Sequence, residues 1–146
     1  QDDPSFPHWK KGIHPSDEMI QNSIDREELY VLADGGDIAA CVIANAEKVD
    51  GYSDAPWQID SDEVSVLHVL AVHPDHRGKG LAQRLVENVI EQERKVGKKA
   101  LRLDVIENNT TAEKLYQKLG FQYIQTKTLY YDVVGEMTFK LYELVL

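Results

Sequence analysis

The sequence predicts an α/β domain, a mixed central sheet whose crossovers are filled by helices. Three observations predict it. The run 64–72 (VSVLHVLAV) is β-branched and apolar, ends before Pro74, and leads through a loop with Gly78 and Gly80 into a long amphipathic segment. The run 100–106 (ALRLDVI) repeats the strand-then-helix order, with a second helical pattern following it. Two short-turn strand pairs flank these units, one on each side. Strand–helix–strand units give parallel pairing and short turns give antiparallel pairing, so the sheet is mixed.

Each element has a local reason. Residues 1–14 are polar, with Pro4 and Pro7, and read as irregular, with Trp9 as an anchor to the body. Ser16 or Asp17 caps a helix over 16–24, with Met19, Ile20 and Ile24 as its apolar stripe. Residues 28–33 and 37–44 form a hairpin about Asp34-Gly35-Gly36. A long polar connection, 47–62, follows. Pro74 cannot continue a central ladder, which ends the next strand near His73. Ala82, Leu85, Val86, Val89 and Ile90 recur at helical spacing until Gly97 stops the helix. In 100–106, Leu101, Leu103 and Val105 share one face, and Arg102 and Asp104 the other. Thr110 and Glu113 have capping-box spacing, Ala112, Leu115, Tyr116 and Leu119 mark a helix face, and Gly120 ends it. Strands over 121–132 and 136–146 turn near Gly135.

With 146 residues the chain makes one domain with a real core. No apolar run is long enough to cross a bilayer, and no signal-peptide pattern opens the chain. The single cysteine, Cys41, excludes an internal disulfide and reads as a small buried hydrophobe in a reducing, cytoplasmic setting. A net charge of −9 argues against nucleic acid and anionic membrane as partners and suits a cationic acceptor. His8, His14, His73 and His76 have no metal-ligand spacing, so no metal site is expected.

The glycine loop before the long helix is the candidate anion site. Amides at a helix start, with the helix dipole behind them, receive phosphate well. A Walker loop is excluded because Lys79 is followed by Gly80, and the dinucleotide fingerprint because Gln83 stands where a third glycine belongs. What remains is Arg77-x-x-Gly80-x-Ala82 preceded by Leu70-Ala71-Val72-His73-Pro74. A second stretch, Asn109-x-x-Ala112-x-x-Leu115-Tyr116-x-x-Leu119-Gly120-Phe121, follows the next strand. Together they resemble the GNAT superfamily of acyl-CoA-dependent N-acyltransferases, well in the second half of the chain and in outline in the first.

The resemblance implies a GNAT fold, whose fourth and fifth strands splay apart to admit the pantetheine arm of acetyl-CoA. It implies that backbone groups of Leu70, Ala71 and Val72 bond that arm. It implies that the amides of Arg77, Gly78, Lys79, Gly80, Leu81, Ala82 and Gln83 hold the pyrophosphate. Asn109 would touch the arm from the other side, and Tyr116 would stand near the sulfur as the acid for the leaving thiolate. One departure is that the family's opening strand and helix have no counterpart before Pro15. An uncovered edge on strand 28–33 is therefore expected to meet either upstream residues or a partner chain, the latter giving a homodimer.

The implied reaction is direct attack of a primary amine on the thioester, which needs a base because an alkylammonium has a pKa of about 10. His68 leads. On a regular strand it shares the face of Leu70, and the stretch around it resembles the arylalkylamine acetyltransferases, with Val66 in place of their first histidine. Glu63, acting through water, is a rival. Asp104 is another, at a position resembling an acidic base of the ribosomal-protein N-terminal acetyltransferases. A structural role, a hydrogen-bonded strand histidine or a paired strand carboxylate, is the alternative for each. In the connection, Asp50, Asp54, Asp60, Asp62 and Glu63 surround Tyr52 and Trp57. This reads either as an aromatic-walled pocket for a cationic small-molecule amine or as a solvated loop. A protein N-terminal or lysine acetyltransferase and a non-catalytic acyl-CoA sensor domain remain the competing functions.

Overall fold

The computed structural model describes Glu18, Gln21, Ile24, Tyr52 and residues 28–46 and 54–146. Glu18, Gln21 and Ile24 are helical. The caps expected at Ser16 or Asp17, the Trp9 anchor and Asp50 lie outside the described residues. Six strands form one sheet: β1 (Leu29–Asp34), β2 (Asp37–Asn45), β3 (Val64–Val72), β4 (Ala100–Ile106), β5 (Gln122–Tyr131) and β6 (Gly135–Val145). Helix α1 (Leu81–Lys95) joins β3 to β4, and α2 (Thr110–Lys118) joins β4 to β5. The strand order is β1-β2-β3-β4-β6-β5, with β3/β4 the parallel pair and the other pairs antiparallel.

Local chemistry explains the turns. Gly35 and Gly36, at φ of 64° and 90°, make the tight β1–β2 turn, whose twist suits a two-residue hairpin. Helix α1 buries Leu81, Leu85, Val86, Val89 and Ile90, the stripe read from the sequence, and packs on β1, β2 and β3. The core lies between α1 and one sheet face, with Val42, Leu67, Leu101, Leu103, Val105, Tyr116, Phe121 and Tyr142. A smaller cluster of Tyr52, Val66 and Leu141, flanked by Trp57 and Ile124, covers the opposite face. Cys41 is half-buried rather than buried, and burial pushes its thiol pKa up.

Thr110 and Glu113 do not form a capping box. Asn109 caps α2, its Oδ1 accepting from the Ala112 amide at 3.1 Å. Glu113 instead turns inward, accepting from the Tyr142 hydroxyl at 2.7 Å and from Lys140 Nζ at 3.2 Å. Glu113 gives the buried Tyr142 hydroxyl an acceptor for its proton and Lys140 a counter-charge, and these contacts take the place of a reciprocal cap. Tyr142 is held neutral, its pKa raised to about 12 by burial and by the Glu113 carboxylate.

The 54–62 segment is fastened to the sheet by a buried ion pair. Glu143 on β6 is fully buried and accepts from Arg102 Nε at 3.0 Å and from the Gln58 amide at 2.7 Å. Arg102 also donates to the Ile59 carbonyl and lies 4.4 Å from the centre of the Trp57 ring. Arg102→Ala would leave a buried carboxylate without its cation. It is expected to cost about 3–5 kcal/mol, read by denaturant unfolding, and to free the 54–62 segment to proteolysis.

Candidate active site

The sheet opens in its middle. Strands β3 and β4 pair only through Val64↔Ala100, Ser65↔Leu101 and Val66↔Arg102. Beyond Val66 they part, while β4 continues along β6 to Ile106↔Phe139. On its other side β3 stays paired with β2 as far as Ala40↔Val72. Leu67 to Val72 therefore line one side of a cleft that widens toward α1.

A bulge shapes that side. Val69 is the one non-glycine among the described residues at positive φ, 56°. The ladder to β2 steps from Ile43↔His68 to Cys41↔Ala71, three residues of β3 against two of β2. A β-branched side chain resists this region, at a cost on the order of 1–2 kcal/mol. Such strain persists where the surroundings impose it, and it concentrates at functional sites.

The bulge overturns one expectation. His68 does not share the face of Leu70. Leu67, Leu70 and Val72 all pack on the helix-side core, whereas Val66 belongs to the opposite cluster. His68 follows Val66 in alternation and so lies on the face away from α1. The extra residue at Val69 resets the period-2 pattern, which regular-strand spacing cannot foresee. Asp104, two residues past the last position of β4 paired with β3, also lies away from the core, its carboxylate accepting from the Tyr52 hydroxyl at 2.8 Å. The opening thus has His68 on β3 and Asp104 on β4, both on one face. On the other face is Tyr116, buried against Phe121. Burial and the nearby Asp104 carboxylate hold the Tyr116 phenol far above its ordinary pKa, hence protonated.

Glu63 lies elsewhere. It precedes β3, is exposed, and its carbonyl accepts from the Lys99 amide at the closed end of the β3/β4 pair. Five residues of extended chain, ~16 Å, separate it from His68.

At the open end the loop is built for backbone approach. Gly78 and Gly80 have φ of 80° and 72° and no neighbouring atom within 4 Å of a built Cβ. The protein does not crowd Gly80; its backbone conformation is what excludes most side chains. Gly80 is the N-cap of α1 and supplies no side-chain cap, and the first turn has no acidic residue. The first amides of α1 are thus left for an external acceptor. The loop is held from behind by Asp34, which accepts from Lys79 Nζ at 3.1 Å and lies 3.0 Å from His76 Nδ1. These partners pull the Asp34 carboxyl below its usual range. The Lys79 side chain thereby braces the loop.

The described part of the connection, Tyr52 and residues 54–62, does not form an aromatic-walled cation pocket. Tyr52 and Trp57 pack on each other, ring centroids 5.3 Å apart, and Trp57 Nε1 donates to the Tyr52 carbonyl. Arg102 covers one face of Trp57, and Asp54 is ion-paired with Lys127. The aromatics fasten the segment to the sheet. Sequence reasoning missed Tyr52 as the partner of Asp104, and also Asn45 and Glu28 beside His68. These contacts span long sequence separations and carry no local pattern.

This splayed parallel pair with a glycine-led helix at its mouth is the arrangement that the resemblance to the GNAT superfamily implies. The chain belongs to the acetyltransferase (GNAT) family, whose model matches residues 2–121. An L-amino acid N-acyltransferase of Escherichia coli is 36% identical over 75 residues, half of this chain and 44% of that protein. The chain spans about half the length of the curated relatives it matches. The crystal structure of the ribosomal-protein-S18-alanine N-acetyltransferase of Escherichia coli superposes with a TM-score of 0.67 at 26% identity, covering 97% of this chain and 79% of that one. An acetyltransferase from Salmonella typhimurium, solved with its cofactor acetyl-CoA, superposes with a TM-score of 0.69 at 20% identity, covering 89% of this chain and 73% of that one. The strands that part are β3 and β4 of this chain.

Proposed function

We propose that the protein is an N-acetyltransferase that moves an acetyl group from acetyl-CoA to a primary amine. The observation that carries this reading is the parting of β3 from β4 after Val66, opposite the open amides at the start of α1. The cleft fits the cofactor. An extended pantetheine arm can add to the edge of Leu70, Ala71 and Val72 as a further strand would. The amides of Arg77, Gly78, Lys79, Gly80, Leu81, Ala82 and Gln83 suit a pyrophosphate, with the Asn109 amide group across the cleft. Acetyl-CoA supplies the acetyl group as an activated thioester that an amine attacks directly.

The chain's own groups then divide by face. Acceptor amine reaches the face of His68 and Asp104, where His68 takes the ammonium proton. Asp104 is the stronger rival to His68, being at the opening, and Glu63 the weaker. Tyr116, on the helix side and protonated, donates to the leaving sulfur. Backbone amides freed by the bulge stabilise developing charge on the acyl oxygen. A small-molecule amine of amino-acid type is the acceptor suggested by the amino acid N-acyltransferase relative. A protein N-terminus is the second reading, favoured by the likeness across nearly the whole chain to the S18-alanine enzyme.

An acceptor screen with acetyl-CoA, following free thiol release, tests the activity. It should include amino acids, diamines and a peptide with an N-terminal alanine. Acceptor-dependent release with an amino acid but not with the peptide is expected. CoA binding without release for any acceptor would mark a sensor domain instead.

A further inference from the structure

We infer that Asn45 and Glu28 are positioning residues that fix the tautomer of His68 and set its affinity for a proton. The role rests on the proposal that His68 is the base. His68 Nε2 lies 3.0 Å from Asn45 Oδ1, and Asn45 Nδ2 donates to Glu28 Oε1 at 3.2 Å. The second contact orients the first. Turned the other way, the Asn45 amide would present its oxygen to a carboxylate, two acceptors face to face. With Nδ2 committed to Glu28, Oδ1 faces the imidazole and can only accept. His68 Nε2 must then carry the hydrogen, which makes Nδ1 the basic nitrogen of the neutral ring.

The frame behind this contact is rigid. Asn45 pairs with Val66 and Ile43 with His68 across the β2/β3 ladder, so the Asn45 side chain reaches His68 diagonally on one face. The Glu28 carbonyl accepts from the Ala44 amide at 3.0 Å, which ties its backbone to β2. The Val69 bulge holds His68 in this register and keeps it from following Leu70 into the core. Other titratable or charged groups near this sheet face are Cys41 on β2, Arg102 and Asp104 on β4, Tyr52 of the connection and Glu143 on β6. Arg102 and Glu143 neutralise each other, and Tyr52 donates to Asp104. Among the described contacts, Asn45 lies directly against the ring.

The test uses the full chain with ¹⁵N-labelled histidine. In wild type the His68 nitrogens should show Nε2 protonated and Nδ1 bare at high pH. Asn45→Asp keeps the shape and puts a carboxylate on Nε2, which favours the charged ring. The NMR titration midpoint of His68 should rise by about one pH unit or more. The acid-side fall in turnover should move up by the same amount. Asn45→Ala, which lacks the acceptor, should not raise the midpoint. Glu28→Ala, which frees the amide to turn, should mix the tautomer signals. A wild-type His68 with Nδ1 protonated, or an Asn45→Asp variant with an unmoved NMR midpoint, overturns the inference. If the NMR midpoint moves and the kinetic limb does not, the positioning stands and His68 is not the base.

Discussion

Replacing Tyr116 by Phe is expected to lower turnover with acetyl-CoA by roughly 10²–10⁴-fold and to leave CoA affinity near that of wild type. The substitution keeps the ring, its burial and its edge-to-face contact with Phe121, 5.5 Å between centroids. It removes only the proton that would meet the leaving thiolate. Burial and the Asp104 carboxylate hold that phenol neutral. A group whose pKa lies far above neutrality stays loaded as an acid across the physiological range, so Tyr116 should add no limb of its own to the pH profile there. Steady-state kinetics beside a CoA titration checks this. A Tyr116→Phe variant with wild-type turnover would leave the residue a core side chain and nothing more.

Loss of the base should be as severe and should read differently. His68→Ala is expected to reduce turnover by roughly 10²–10⁴-fold with little change in CoA affinity, because the imidazole lies on the face away from α1. The sign of the pH effect follows from the role. A base works only when deprotonated. Wild-type activity should therefore fall on the acid side of its pH profile, and His68→Ala should lose this fall. Glu63→Gln should retain the wild-type profile, since Glu63 lies at the closed end of the strand pair. If His68→Ala keeps the limb and Asp104→Asn abolishes it, the base is Asp104, on the same face across the opening.

The two strand–helix units and the glycine loop were legible in the sequence because each rests on local signals. Apolar runs, Pro74, Gly97 and Gly120 punctuate the chain in the same places where the elements end. The bulge was not legible. Val69 has the side chain of a regular strand residue, yet it stands at φ 56° where the ladder to β2 takes one extra residue of β3. That one residue moved His68 to the opposite face from the one its spacing implied. The cap of α2 failed for a related reason. Thr110 and Glu113 stand at the right interval, but Glu113 is drawn to Tyr142 and Lys140 on a strand far along the chain. The aromatic connection misled in the same way. Its acids and rings suggested a pocket for a cation, while Arg102 covers Trp57, Lys127 pairs with Asp54 and Asp104 accepts from Tyr52. In the last two cases a long-range polar demand decided the matter, and no local pattern encodes such a demand.

We propose the cleft between β3 and β4, with the amides at the start of α1, as an acyl-CoA site. Calorimetric titration of CoA into wild type and into Gly80→Asp tests it most directly. Gly80 has φ of 72° and open space around its Cβ position. Aspartate is among the few residues that tolerate this conformation, so the variant should fold, which circular dichroism would check. Its carboxylate would occupy the amide cradle and repel a pyrophosphate. Wild type should bind one CoA per chain, and folded Gly80→Asp should bind none detectably. A folded Gly80→Asp protein with wild-type CoA affinity, or a wild-type protein that binds no CoA, would contradict the account.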